Sequence, residues 1–162
     1  MKHDNRLSSV LHVLIHMIEL DRPVTSAELA VMLNTNPVVV RRTMAGLREA
    51  GFVASEKGHG GGWVLSESPA AITLFDIHQA LGITDLFTLG HRSDNPRCLV
   101  EQAVNAALDD AMTAAEALLM ARLKTITLAD LTADFQKRME PFGQTTLADM
   151  WNRHLKTKGD SE

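Results

Sequence analysis

The chain is 162 residues long and 45% apolar, enough for one domain with an extension and too apolar for disorder. Its formal charge of −4 argues against unspecific adhesion to nucleic acid, yet the charge is uneven: residues 1–66 balance to +1 and residues 67–162 to −5, which leaves room for a local basic surface in the first half. A single cysteine, Cys98, excludes an internal disulfide and fits a reducing cytoplasm, and no apolar run approaches the roughly 18 residues of a membrane span.

Residues 6–20 read as a first helix, with Leu7, Val10, Leu11, Leu14, Ile15 and Ile18 on one wide stripe and Asp21-Arg22-Pro23 as its stop. His12, His16 and Glu19 interrupt its apolar residues and no small-residue cleavage site follows, which argues against a signal peptide. Thr25-Ser26-Ala27-Glu28 is a capping box that opens a second helix, with Leu29, Ala30 and Leu33 inward. Asn34-Thr35 makes the turn. Asn36 then caps a third helix, and Pro37 takes the first helical position, where a missing N–H costs nothing. Val40, Met44 and Leu47 form its buried stripe; Val38, Arg41, Ala45 and Arg48 fall opposite, with Arg42 beside them. Gly51 closes the helix. Residues 52–57 predict a strand, 58–62 a flexible glycine turn and 63–65 the returning strand. Two short helices joined by a tight turn, the second with a basic outer face, make a helix-turn-helix; the hairpin adds a wing.

Beyond the hairpin, residues 66–71 predict a loop containing Pro69, and 73–81 a helix capped by Thr73 and stopped by Gly82. Residues 83–97 are irregular and polar, ending in a second cap signal at Asn95-Pro96. From residue 97 to about 124 there is no Gly or Pro and alanine is dense, which predicts one helix about 40 Å long. Val100, Val104, Ala107, Ala111, Ala114, Leu118 and Ala121 form one stripe, with Leu108, Ala115, Leu119 and Leu123 alongside. That face exceeds what a small domain covers, so the helix is expected to pair with its copy in a homodimer, presenting two reading helices to a roughly palindromic site. Thr127 opens a short helix that ends before Pro141; residues 146–155 read as another, and 156–162 as a loose tail. The fold class is therefore mainly α with a small β-hairpin wing, a winged helix-turn-helix domain plus a long dimerisation helix. The division expected is 1–82 for DNA binding, 83–97 as linker, 98–131 for dimerisation and 132–162 as a C-terminal extension.

Double-stranded DNA is the expected partner. Arg41 and Arg42 suit guanine edges or phosphates, and Arg48 the DNA backbone or a nearby carboxylate. Asn36 and Val38 begin the same helix. Lys57, His59, Gly60 and Gly61 form the wing, where glycine lets backbone N–H groups approach a phosphate or the minor groove. Thr25 and Ser26 start a helix whose N-terminus can face a phosphate, besides their capping role. Trp63 reads as an anchor for the wing. His12 and His16 have the four-residue spacing of a metal pair, but no third ligand is near in sequence, so no metal is expected. Cys98 opens the long helix, where a thiolate is stabilised; it is a candidate redox sensor, against the plainer reading of a small buried hydrophobe. No nucleophile motif, phosphate loop or catalytic carboxylate pair is present, so neither an enzyme nor a cofactor is expected.

The segment LREAGFVASEKGHGGGWVL, residues 47–65, resembles the Rrf-two family of bacterial winged-helix repressors, which includes iron–sulfur and nitric-oxide sensors. AAITLFDIHQAL (70–81) and ITLADL (126–131) match the family's following helix and post-helix segment. The resemblance runs from Arg6 to Leu131 and implies a homodimer with two DNA-reading domains and a long crossing helix. The cluster-binding members carry three cysteines near the start of that helix; here HRSDNPRCLVEQAV offers Cys98 alone, so cluster sensing is not carried over. The expected function is a cytoplasmic transcriptional regulator, a repressor, with a small-molecule effector sought near residues 83–97. The alternative is a winged-helix protein–protein adaptor that has lost DNA binding.

Overall fold

The computed structural model describes residues 5–83 and 98–143, together with Asp149. Its element order is α1 (Arg6–Leu20), α2 (Ser26–Met32), α3 (Pro37–Glu49), β1 (Val53–Glu56), β2 (Gly62–Leu65), α4 (Leu74–Ala80), α5 (Leu99–Leu123) and α6 (Leu128–Met139), with 3-10 turns at Pro69–Ala71 and Glu140–Phe142. The cap expected at Asn95-Pro96, the linker from residue 84 and the tail lie outside the described residues, as does the helix expected at 146–155 except for Asp149.

Three helices start on the same device. Thr25, Thr73 and Thr127 each accept from the backbone N–H three residues on, at Glu28, Asp76 and Asp130, whose carboxylates in turn accept from the threonine N–H. Two orphan donors are thereby satisfied at each start. The caps at Thr73 and Thr127 also lie side by side: Leu74 N–H donates to the Ile126 carbonyl and Leu128 N–H to the Ile72 carbonyl, both at 2.9 Å. That bridge ties the start of α6 to the start of α4. α6 also lies along α1, where the Gln136 side-chain N–H donates to Glu19 at 3.1 Å. α6 thus runs through the division expected at 131/132, because its capping box starts it at Thr127 and the fully buried Leu128 holds it to the core.

One core joins these elements. Leu14, Val24, Leu29, Met44, Leu47, Val53, Ile72, Ile77 and Leu128 are fully buried within it. The buried stripe of α1 is Val10, Val13, Leu14 and Met17, rotated from the expected one. Those four complete an i, i+3, i+4, i+7 set. Leu7, Leu11 and Ile18 are only partly buried at its edges, and α4, α6 and β2 all pack on α1. The hairpin also differs in detail. β1 is Val53–Glu56 rather than 52–57, and Gly62 belongs to β2, paired with Glu56, rather than to the turn. Among the described residues, no helix is long and apolar enough to cross a membrane.

Candidate nucleic-acid interface

The turn between α2 and α3 is tight because Asn34 takes a left-handed conformation (φ +49°), one that asparagine tolerates. Asn36 follows as N-cap, its side-chain oxygen accepting from Val38 N–H at 2.8 Å. From there α3 turns Val40, Met44 and Leu47 into the core and leaves Val38, Arg41, Arg42 and Arg48 exposed. Among the described residues none of these three guanidinium groups is held by an ion pair or hydrogen bond. Asn36 is exposed, but its oxygen is already engaged in the cap.

The wing is fixed at its base and free at its tip. Val24 and Trp63 exchange backbone hydrogen bonds at 3.0 and 2.8 Å, so the hairpin leans on the segment before α2. The Trp63 ring is buried and its indole N–H donates to the Ser26 hydroxyl at 2.9 Å, which makes it the expected anchor. A methyl group at Gly62 would meet the Val24 carbonyl at 2.7 Å, and one at Gly61 would collide with the Glu56 carbonyl. Hairpin packing by itself requires a glycine at both positions. Gly58 and Gly60, with φ of +107° and +84°, shape the exposed tip, which also carries Lys57 and His59.

The structure gives Thr25 and Ser26 prior commitments. The Thr25 hydroxyl donates to Glu28 at 2.9 Å, and Ser26 receives Trp63. Glu28 also holds Arg22 at 2.8 Å, although in the sequence Arg22 reads only as part of a stop signal. Partial burial works against the Glu28 charge, but the hydrogen bonds from Arg22 and Thr25 outweigh it and keep the carboxyl below its usual range. The structure therefore brings Val38, Arg41 and Arg42 together on one helix, while the hydroxyls of Thr25 and Ser26 serve internal bonds.

Two other candidates resolve differently. His12 and His16 face each other, Nε2 to Nε2, at 2.8 Å. Burial, with the His12 charge second, lowers His16 to about 4. Among the described residues no group of three or more His, Cys, Asp or Glu side chains is placed to hold a metal ion. Cys98 is exposed at the start of α5, not buried as the plainer reading has it, and the N–H groups of Glu101 and then Val100 lower its thiol.

A family model described as iron-dependent transcriptional regulator matches residues 3–134. The Bacillus subtilis (strain 168) protein YwnA is 30% identical over 128 residues, covering 79% of this chain and 95% of the relative. Among solved structures, CymR, the global cysteine regulator of B. subtilis, is 25% identical with a TM-score of 0.55, covering 82% of this chain and 97% of its own. A solved Lactobacillus plantarum protein shares the fold at 23% identity and a TM-score of 0.69, with 98% of this chain and 99% of its own covered. With a family model spanning most of its length, the chain belongs to the Rrf2 family of transcriptional regulators.

Proposed function

We propose that the chain is a transcriptional repressor that binds a roughly palindromic operator as a homodimer, through α3 and the hairpin wing. The observation that carries this reading is the set of unpaired guanidinium groups on α3, beside a wing whose tip bears Lys57 and His59. Free arginines on a helix that presents no other chemistry suit phosphates and guanine edges. The reading surface is Asn36, Val38, Arg41, Arg42 and Arg48 on α3, and Lys57, His59, Gly60 and Gly61 on the wing. Ser26 contributes its backbone N–H at the start of α2 rather than its engaged hydroxyl, and Thr25, whose N–H and hydroxyl both serve Glu28, contributes by holding that helix start in place. Residues 1–82 form the reading unit, and α5 supplies the dimer contact.

Iron–sulfur sensing does not fit the residues present. Cys98 is the single cysteine of the chain, and among the described residues no three-ligand group stands near it. A cluster held by the usual thiolate set needs more sulfur than one chain provides. The signal is instead assigned to thiol chemistry at Cys98 or to a small effector; the polar segment expected to receive an effector lies, from residue 84, outside the described residues.

The test is operator binding measured across a salt series for the wild type and for Arg41→Ala with Arg42→Ala. The variant is expected to keep its circular dichroism and lose affinity, and the slope of log affinity against log salt falls by about 0.9 for each phosphate no longer neutralised. Unchanged affinity and slope would sink the reading, and failure of the wild type to bind any fragment would favour the adaptor alternative.

A further inference from the structure

Three valines open α3, and the fold uses only one of them. Val40 is 3% exposed, whereas Val38 is 57% and Val39 54% exposed. Valine is a poorer helix former than alanine, by a few tenths of a kcal/mol per residue, because its χ1 freedom is lost against the preceding turn. Burial offsets that cost at Val40 and does not at Val38 or Val39. Local choices that work against the fold without an evident gain concentrate at functional positions.

The two exposed valines differ in what they face. Val39 borders a cleft of about 310 Å³ between α1 and α3, along with Val10, Val13 and Met44. Val38 lies on the outward side. At 100° per residue it falls within about 40° of Arg42, one turn further on. No carboxylate occupies the first turn of α3. The outermost line of the helix therefore presents a stiff apolar cap, then a cation.

In the major groove the one apolar group on a base edge is the 5-methyl of thymine, and the commonest partner of arginine is guanine. Residues at i and i+4 stand about 5–6 Å apart, against a rise of about 3.4 Å per base pair. Resting on the DNA-reading function proposed above, we infer that Val38 packs on the 5-methyl group of a thymine, while Arg42 reads a guanine one or two base-pair steps away. Val38 is then a determinant of operator sequence rather than of affinity in general. β-Branching helps, since the side chain gives up little rotamer freedom on contact.

The experiment uses the full chain and a random duplex pool. Selection is expected to enrich half-sites with a thymine one or two steps from a guanine. Each thymine of the selected duplex is then replaced by deoxyuridine, which removes only the methyl and cannot disturb the protein fold. At one position the wild type is expected to bind about fourfold more weakly, the worth of one buried methyl. Val38→Ala should bind the thymine duplex at least fourfold more weakly and make no distinction between thymine and uracil there. Arg42→Ala should relax the guanine preference and keep the distinction. Selective binding with no uracil effect at any thymine overturns this inference and leaves the DNA-reading function standing. Loss of the distinction in Arg42→Ala, with Val38→Ala retaining it, overturns the assignment as well. A pool with no enriched sequence removes the DNA-reading function and this inference together.

Discussion

At the scale of single residues, the wing separates two uses of glycine that look alike in the string GHGGG. Gly60 has a left-handed backbone and nothing near a would-be Cβ, so Gly60→Ala should cost about 1 kcal/mol from backbone strain alone. Gly62 has an ordinary φ but lies against the Val24 backbone, which cannot swing aside as a side chain can. Gly62→Ala is expected to cost about 1–3 kcal/mol and to loosen the Val24–Trp63 bridge. Urea unfolding of the two variants checks this; because Gly62 carries no left-handed strain, a Gly62→Ala variant as stable as the wild type would mean that the close approach to Val24 does not matter. The residue types alone did not show this difference, because the clash comes from a segment some forty positions earlier. The arginines were legible for the opposite reason: their exposure follows from the local period of α3 alone. Cys98 makes a second prediction at this scale. Its exposed thiol, lowered by the backbone N–H groups of Glu101 and Val100, should react with iodoacetamide at a rate whose midpoint falls at lower pH than for the unfolded chain. Coincident midpoints would show that the start of α5 does not stabilise the thiolate.

Whole elements were legible wherever one short pattern carried the instruction. Thr25 with Glu28 reads directly as a helix start, and so does Asn36-Pro37. Less visible was that Thr73 with Asp76 and Thr127 with Asp130 repeat the device, and that these two caps bridge each other. Pairing between distant caps depends on tertiary contact, which no local pattern encodes. Removal of one cap by Thr25→Ala should cost about 1 kcal/mol and leave Arg22 to pair with a less constrained Glu28. At Asp130 the carboxyl is lowered by the Thr127 backbone N–H and then by its hydroxyl. Its folded pKa lies below its unfolded one, so its stabilising share is complete above the unfolded value and is lost as pH falls through the folded value. The stability gap between wild type and Asp130→Asn should therefore be widest near neutrality and shrink in acid; a gap that holds constant down to pH 2 contradicts the cap.

Across the whole molecule, the feature that a single chain leaves unbalanced is the surface of α5. Leu119, Met120 and Leu123 fasten its last turns to the core of its own chain. Among the described residues the rest of its apolar face has no such cover: Leu99, Val100, Val104 and Leu118 are exposed, Leu118 to 74%. Leu118 and Leu119 are neighbours in sequence, yet only Leu119 turns to the core, so the outward face is not a spare part of the same core. A row spaced 4-3-4-3-4-3 from Val100 to Ala121 repeats every 3.5 residues, the period of a seam between helices. A monomer seldom leaves an apolar strip of that length in water. Replacing Val104 and Leu118 with glutamate tests what covers it. Glutamate is at least as good a helix former as the residues it replaces, so α5 should persist by circular dichroism. Like charges brought together across the proposed two-fold seam should instead separate the copies, so that by sedimentation velocity the wild type is expected as a dimer and the variant as a monomer. Binding to an isolated half-site should survive, while affinity for the full operator falls, because the second half-site no longer benefits from the first. A wild type that sediments as a monomer at micromolar concentration would remove the proposed homodimer, and a variant that remains dimeric would place its contact elsewhere than on α5.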